Sequence, residues 1–185
     1  MKTTSYKSII WQSNTALRLL LFFLENPGRE FYEKQVKEKT GLSLGATNKY
    51  LAGLAEEDFL VLKRQGKMKF FKLNRESLIV KYLKIIHSLS LPVIASLRDL
   101  GKKLGAKLYL YGSVARGEDD EDSDLDVLVL GDVKLENLEK EILPIRKRFG
   151  KNIKLAIFKR NEWIKMAEKD PAFYERVEKD KIELI

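Results

Sequence analysis

Apolar residues change their spacing repeatedly along the chain, and each change marks an element. Leu17, Leu20, Leu21 and Leu24 recur at helical intervals, with Ser13 or Asn14 capping a helix that starts near Thr15 and Asn26-Pro27-Gly28 stopping it. Glu30-Phe31-Tyr32 reads as extended. A second helix over 33–39 turns Val36 inward and ends at Thr40-Gly41. Ser43 caps a third helix that runs to about Asp58 and buries Tyr50, Leu51, Leu54 and Ala55. The period then becomes alternating: 59–63 and 68–73 read as strands around Gln65-Gly66-Lys67, with Leu60, Leu62, Phe71 and Leu73 inward. Residues 76–104 return to helical spacing, through Leu78, Ile79, Tyr82, Leu83 and Ile86, and after Pro92 through Val93, Ile94, Leu97, Leu100 and Leu104. That much apolar surface implies helices packed between domains or in a homodimer contact.

Beyond Gly105 strands and helices alternate. Residues 106–111 form a strand, 114–117 a short helix, 124–130 a strand, 136–149 a helix broken or bent at Pro144, and 153–158 a third strand, before helices over 161–168 and 172–179. Three strands with intervening helices make a small α/β or α+β layer. The pattern therefore predicts two domains, residues 10–75 and 105–185, joined by connecting helices over 76–104.

Composition permits this division: 185 residues with 44% hydrophobic side chains can fill two small cores. The absence of cysteine excludes disulfides and thiolate metal sites and suits a reducing cytoplasm. Leu19 to Leu24 is too short an apolar run for a signal sequence or a membrane span, so no membrane partner is expected. The net charge of +8 is unevenly placed. Residues 1–100 hold 17 Lys or Arg against 9 Asp or Glu, whereas residues 101–185 hold 18 of each. A basic module joined to a neutral one suggests a polyanion-binding part beside a part with another task, although a basic surface also serves solubility.

Two helices joined by a short turn and followed by a basic hairpin resemble the winged helix-turn-helix regulators, with Gly41-Leu42-Ser43 ahead of the third helix and Leu51, Leu54 and Phe59-Leu60 behind. The resemblance implies an α+β winged domain that binds double-stranded DNA. It places Ser43, Leu44, Gly45, Thr47, Asn48 and Lys49 at the base-facing end of the third helix, and Arg64, Lys67 and Lys69 on the wing. The side-chain chemistry agrees: Asn48 can pair with an adenine edge, Thr47 with a phosphate or thymine methyl, and the three cations with phosphates. Against this stand a protein-docking role and a merely solvated hairpin, because Lys49 is the lone cation of the third helix.

The densest chemistry lies between the first two strands of the second half. Asp124 and Asp126, one residue apart on a strand, point to one face while Leu125 and Val127 point into the core. Two neighbouring carboxylates repel unless a divalent cation separates them, and hard oxygen ligands suit Mg²⁺ or Mn²⁺ shared with phosphates. Gly112 lets backbone approach an anion, Ser113 adds a hydroxyl, and the amides that follow can complete a phosphate cradle. The stretch Gly112-Ser113-Val114-Ala115-Arg116-Gly117 through Ser123-Asp124-Leu125-Asp126 closely resembles the nucleotidyltransferase superfamily of DNA polymerase beta and kanamycin nucleotidyltransferase, and within it the minimal nucleotidyltransferases.

By that resemblance, Gly112 and Ser113 hold the terminal phosphates of a nucleoside triphosphate, ATP foremost. Asp124 and Asp126 hold a pair of metal ions, and an acceptor hydroxyl attacks the alpha-phosphate in line. Arg116 either neutralises phosphate or pairs with nearby acids, and residues 118–122 form a solvated acidic loop. The chain departs from the family pattern on the third strand, Asn152 to Phe158, which lacks the usual third carboxylate; Lys154 and Ala156 occupy the face opposite Ile153, Leu155 and Ile157. Glu162 lies beyond that strand, at a helix start. His87, the sole histidine, reads as structural. Three functions remain open: a DNA-binding regulator with a Mg²⁺-dependent nucleotidyltransferase domain; a DNA-binding protein whose transferase fold is silent; and, from the minimal members of the family, an antitoxin that binds or modifies an all-helical toxin partner.

Overall fold

Ser13 caps the first helix, α1 (Asn14–Glu25), by accepting a hydrogen bond from the Thr15 amide at 3.2 Å. The computed structural model describes residues 13–185, so the expected start of the first domain at residue 10 lies outside the described residues. The chain divides between Leu83 and Lys84 into two units.

In the first unit α1 is followed by β1 (Glu30–Tyr32), α2 (Glu33–Thr40), α3 (Leu44–Glu56), β2 (Leu60–Gln65) and β3 (Met68–Leu73). Ala16, Leu19, Leu20, Phe23 and Leu24 are the buried stripe of α1, and Leu17, expected inside, is exposed. Gly41 ends α2 in the left-handed conformation, and Ser43 caps α3 by accepting from the Ala46 amide at 3.2 Å. The sheet is antiparallel in the order β1-β3-β2, with Phe31 opposite Phe71 and Leu60 opposite Leu73. Leu62 departs from the alternation expected of it: it pairs with Phe71 but is 37% exposed. From Val61 to Met68 every residue is exposed, so the hairpin projects past the core that buries its base.

Helix α4 (Leu78–Ser90) crosses the boundary and brings a second correction. The stripe expected to be packed leaves Leu78, Ile79, Tyr82 and Ile86 exposed, whereas Val80, Lys84 and Ser88, four residues apart, are buried. A lysine inside a buried stripe breaks the apolar pattern, so spacing alone selects the wrong face.

The second unit continues with α5 (Pro92–Leu104), β4 (Lys107–Tyr111), α6 (Gly112–Ala115), β5 (Leu125–Leu130), α7 (Leu135–Phe149), β6 (Ile153–Phe158), α8 (Arg160–Lys169), α9 (Pro171–Asp180) and β7 (Ile182–Glu183). Strand order is β6-β5-β4-β7; β5 and β6 run parallel and the other pairs antiparallel. One sheet face packs Leu108, Leu110, Val127, Val129 and Ile153 on Val93, Ile94 and Leu97 of α5 and on Leu138 and Ile142 of α7. The other packs Tyr109, Leu128, Ala156 and Phe158 on Trp163 of α8 and on Phe173 and Val177 of α9. Helix α5, which spacing assigns to the connection, thus belongs to this core. Helix α7 runs through Pro144 without interruption, and β7 is too short to carry an alternation. Among the described residues no single helix is long and apolar enough to cross a membrane.

Candidate functional site

Strand direction assembles the site. Because β5 and β6 are parallel and β4 runs against them, the end of β4 and the starts of β5 and β6 share one edge. There Tyr111 pairs with Asp126, and Asp126 pairs with Lys154. The alternation that sends Leu125 and Val127 into the core puts these three residues on the opposite face, the one roofed by α9.

Gly112 begins α6 with φ +75°, a conformation that a side chain resists. A Cβ built there would lie 2.3 Å from Asp126 Oδ2, so the missing side chain makes room for the protein's own carboxylate. Asp124 is held on both oxygens: Asn152 Nδ2 donates to Oδ1 at 2.9 Å, and Lys154 Nζ lies 2.7 Å from Oδ2. The Lys154 hydrogen bond, reinforced by Asn152, holds the Asp124 carboxyl below its ordinary range. Asp126 is shifted the other way. Burial raises it and Asp124 adds to the effect, while Lys154, Arg116 and Arg176 oppose it. Burial, with Asp126 second, also raises the Tyr111 phenol. Two neighbouring carboxylates therefore sit in different environments, one paired and one partly desolvated.

Spacing gave no hint of Arg176, an exposed residue whose charge acts on Asp126 and Tyr111. It comes from α9, fifty residues after Asp126 in the chain, and its guanidinium lies 5.5 Å from the centre of the Phe173 ring. That ring meets Tyr111 edge-on at 6.2 Å. Of the two roles open to Arg116, phosphate or nearby acids, the described contacts are with acids, Glu118 at 2.8 Å and Asp180 at 3.5 Å. Glu162 caps α8 by accepting from the Lys159 amide at 2.9 Å, at the far end of β6, and does not stand in for a third carboxylate.

The acidic loop is also more structured than a solvated run. Lys84 is 2% exposed and reaches Asp119 at both its carbonyl oxygen, 2.6 Å, and its Oδ1, 3.1 Å. Lys151 donates to the Glu121 carbonyl at 2.9 Å, and the Ser123 hydroxyl donates to Asp120 Oδ1 at 2.8 Å. Asp119 and Glu121 are half-buried as a result.

Among the described residues no three acidic or histidine side chains converge on one point. Two carboxylates suffice for one Mg²⁺ or Mn²⁺ whose remaining ligands are phosphate and water oxygens. The site-facing positions of β6, Lys154 and Ala156, add no further acid to these two.

In the first unit the expected base-reading set separates. Thr47 is fully buried and its hydroxyl donates to the Ser43 carbonyl at 2.9 Å, so it cannot reach a base; its hydroxyl satisfies the helix's own first turn. Asn48 is half-buried with its amide oxygen out of solvent. Ser43, Leu44, Gly45 and Lys49 are exposed, and the Lys49 ammonium lies 5.3 Å from the centre of the Tyr50 ring. On the hairpin Arg64 and Lys67 are exposed, and Lys69 pairs with Glu33 at 3.5 Å.

Residues 93–184 match the family model of the nucleotidyltransferase domain, and this half of the chain is such a domain. No curated protein matches the chain. Among solved structures it is similar to a candidate nucleotidyltransferase from Sulfolobus solfataricus, at 17% identity and a TM-score of 0.33 over 54% of this chain and 85% of that one. HmgR from Pseudomonas aeruginosa aligns at 19% identity and a TM-score of 0.34, over 86% of this chain and 65% of that one. Likenesses this distant do not bear on function.

Proposed function

We propose, from the premise that residues 93–184 are a nucleotidyltransferase domain, that the edge formed by Tyr111, Asp126 and Lys154 binds a nucleoside triphosphate and transfers its nucleoside monophosphate to an acceptor hydroxyl. The observation that carries this reading is the close fit of Gly112 around the partly buried Asp126, which commits a left-handed glycine to presenting a carboxylate at a sheet edge. Asp126 and Asp124 would hold one Mg²⁺ or Mn²⁺, which when bound polarises the reacting phosphoryl group. Gly112 and Ser113 would lie along the terminal phosphates. Lys154 and Arg176 offset the negative charge that ligand and carboxylates share, and Tyr111 supplies a phenol beside Asp126.

The first unit supports a reading as a winged helix that binds double-stranded DNA: its order is helix, strand, helix, helix and hairpin, its excess charge is positive, and its hairpin is exposed with Arg64 and Lys67 on it. The chain would then be a DNA-binding regulator that carries a transferase domain.

A second reading is favoured by one observation. With Lys154 on β6 where an acid would activate the acceptor, the domain binds nucleotide without transferring it. Titration with non-hydrolysable ATP, GTP, CTP and UTP analogues in Mg²⁺ tests the shared part of the two readings. Binding of at least one, with the Mg²⁺ enhancement abolished in Asp126→Asn, is expected; failure of all four overturns both. Release of pyrophosphate on incubation with the hydrolysable nucleotide and cell extract as acceptor source separates transfer from binding alone.

A further inference from the structure

Protein cations already stand beside both carboxylates of the site. Asp124 and Asp126 contribute two negative charges, and Lys154 and Arg176 bring two positive ones to the same edge. Arg116, though held by Glu118 and Asp180, also acts on Asp126. Lys154 is placed by the parallel register beside Asp126 and by its ion pair on Asp124, so its ammonium ties β6 to the segment at the start of β5 that carries both carboxylates. Its side chain is still 63% exposed, which leaves ammonium protons directed to solvent. A divalent ion that sought both carboxylates would have to displace this ammonium from Asp124, and a second ion would find no further acid on β6.

We propose that Lys154 is a built-in cation that takes the place of a second metal ion, so that the site receives a polyphosphate directly on protein side chains, Lys154 foremost and Arg176 beside it, and holds at most one divalent ion. This rests on the reading of the domain as nucleotide-binding and names the group that recognises the phosphates. A fixed ammonium on a strand needs no metal to be recruited with the ligand, and a flexible lysine tethered at 2.7 Å to a carboxylate is already oriented before the ligand arrives.

The test uses the full chain and inorganic tripolyphosphate as probe, titrated in excess EDTA and again in Mg²⁺. Wild-type protein is expected to bind in EDTA, with Mg²⁺ altering affinity by about tenfold or less. Lys154→Met should lower affinity in EDTA at least about tenfold and make the residual binding depend on Mg²⁺, whereas Lys154→Arg should keep most of it. Mn²⁺ titration without any phosphate ligand should give no more than one ion per wild-type chain and tighter Mn²⁺ binding in Lys154→Met, a readout that needs no activity. Tripolyphosphate binding that requires metal in the wild type, unchanged affinity in Lys154→Met, or two Mn²⁺ per wild-type chain would each overturn the proposal. The two ideas fail separately. Metal-free binding of tripolyphosphate with no binding of any nucleoside triphosphate analogue would sink the nucleotide reading and keep Lys154 as the phosphate cation; metal-dependent nucleotide binding untouched by Lys154→Met would do the reverse.

Discussion

Lys154 is the register neighbour of Asp126, yet its ammonium rests on Asp124, 2.7 Å from Oδ2. A strand residue reaches diagonally to a side chain two positions away on the adjoining chain segment, and the long lysine stem allows it. The consequence is asymmetry: Asp124 is held low by its ammonium partner, and Asp126, without that ion pair, is raised by burial. The site's response to pH and mutation follows from this difference.

Asp126→Asn should stabilise the protein near neutral pH. A carboxyl whose folded-state pKa is raised favours its protonated form in the fold. Its contribution is therefore fully present below the ordinary carboxylate range and is lost as pH rises through the folded value. Removing the charge should give a gain below about 1 kcal/mol near pH 7, small because the group keeps part of its solvent. At about pH 3, where both states are protonated, the gain should vanish. Urea titrations of wild type and variant at the two pH values check this; an equal gain at both would assign the effect to something other than the Asp126 charge.

Gly112→Ala should destabilise the second unit by about 2 kcal/mol or more, combining a left-handed backbone with a Cβ placed 2.3 Å from Asp126 Oδ2. In an Asp126→Ala background the carboxylate clash is gone, leaving the backbone cost of about 1–2 kcal/mol and a tight approach of 3.3 Å to the residue 126 Cβ. A double-mutant cycle by urea denaturation measures the difference, and strict additivity would show that the two residues do not crowd each other.

Lys84→Ala should cost about 3 kcal/mol, because it strips the ammonium from half-buried Asp119 and leaves a cavity in the buried stripe of α4. The double variant Lys84→Met, Asp119→Leu should recover part of that loss, since an apolar pair of similar volume carries no desolvation penalty. Chemical denaturation followed by tryptophan fluorescence reports on this unit, where Trp163 is buried. A Lys84→Ala variant as stable as wild type would mean that the acidic loop is not anchored by this lysine.

If the hairpin touches DNA, Arg64→Ala combined with Lys67→Ala should weaken binding to duplex DNA and reduce the slope of affinity against salt by about two, one for each phosphate no longer neutralised. Thr47→Val serves as the contrast. It should cost about 1 kcal/mol of stability by removing the hydrogen bond to the Ser43 carbonyl and leave DNA affinity unchanged. Fluorescence anisotropy over a salt series checks both; a DNA defect in Thr47→Val alone would restore that residue to the interface.

Much of this architecture is local physics and so is legible in the chain. Ser13 and Ser43 as caps, Gly41 as a left-handed stop, the alternation of the hairpin, and the placing of Leu125 and Val127 opposite Asp126 all depend on neighbours a few residues away. Asp124, Asp126 and Gly112 are legible for the same reason, since their spacing around a strand is a sequence property. Other features are decided by pairings between distant segments. Lys84 is buried because Asp119 comes to meet it, and no hydropathy pattern would put a lysine inside. Leu62 lies on β2, an edge strand, and is 37% exposed while its register partner Phe71 is buried, a matter of sheet order and not of period. Thr47 has the chemistry of a DNA-reading residue and is a buried, hydrogen-bonded hydroxyl, because polarity does not say which side of a helix faces the core. Above all, the strand register sets Lys154 between Asp126 and Asp124 and the fold of α9 adds Arg176, so the sequence by itself determined where the carboxylates are, and the tertiary structure decided which cations stand against them.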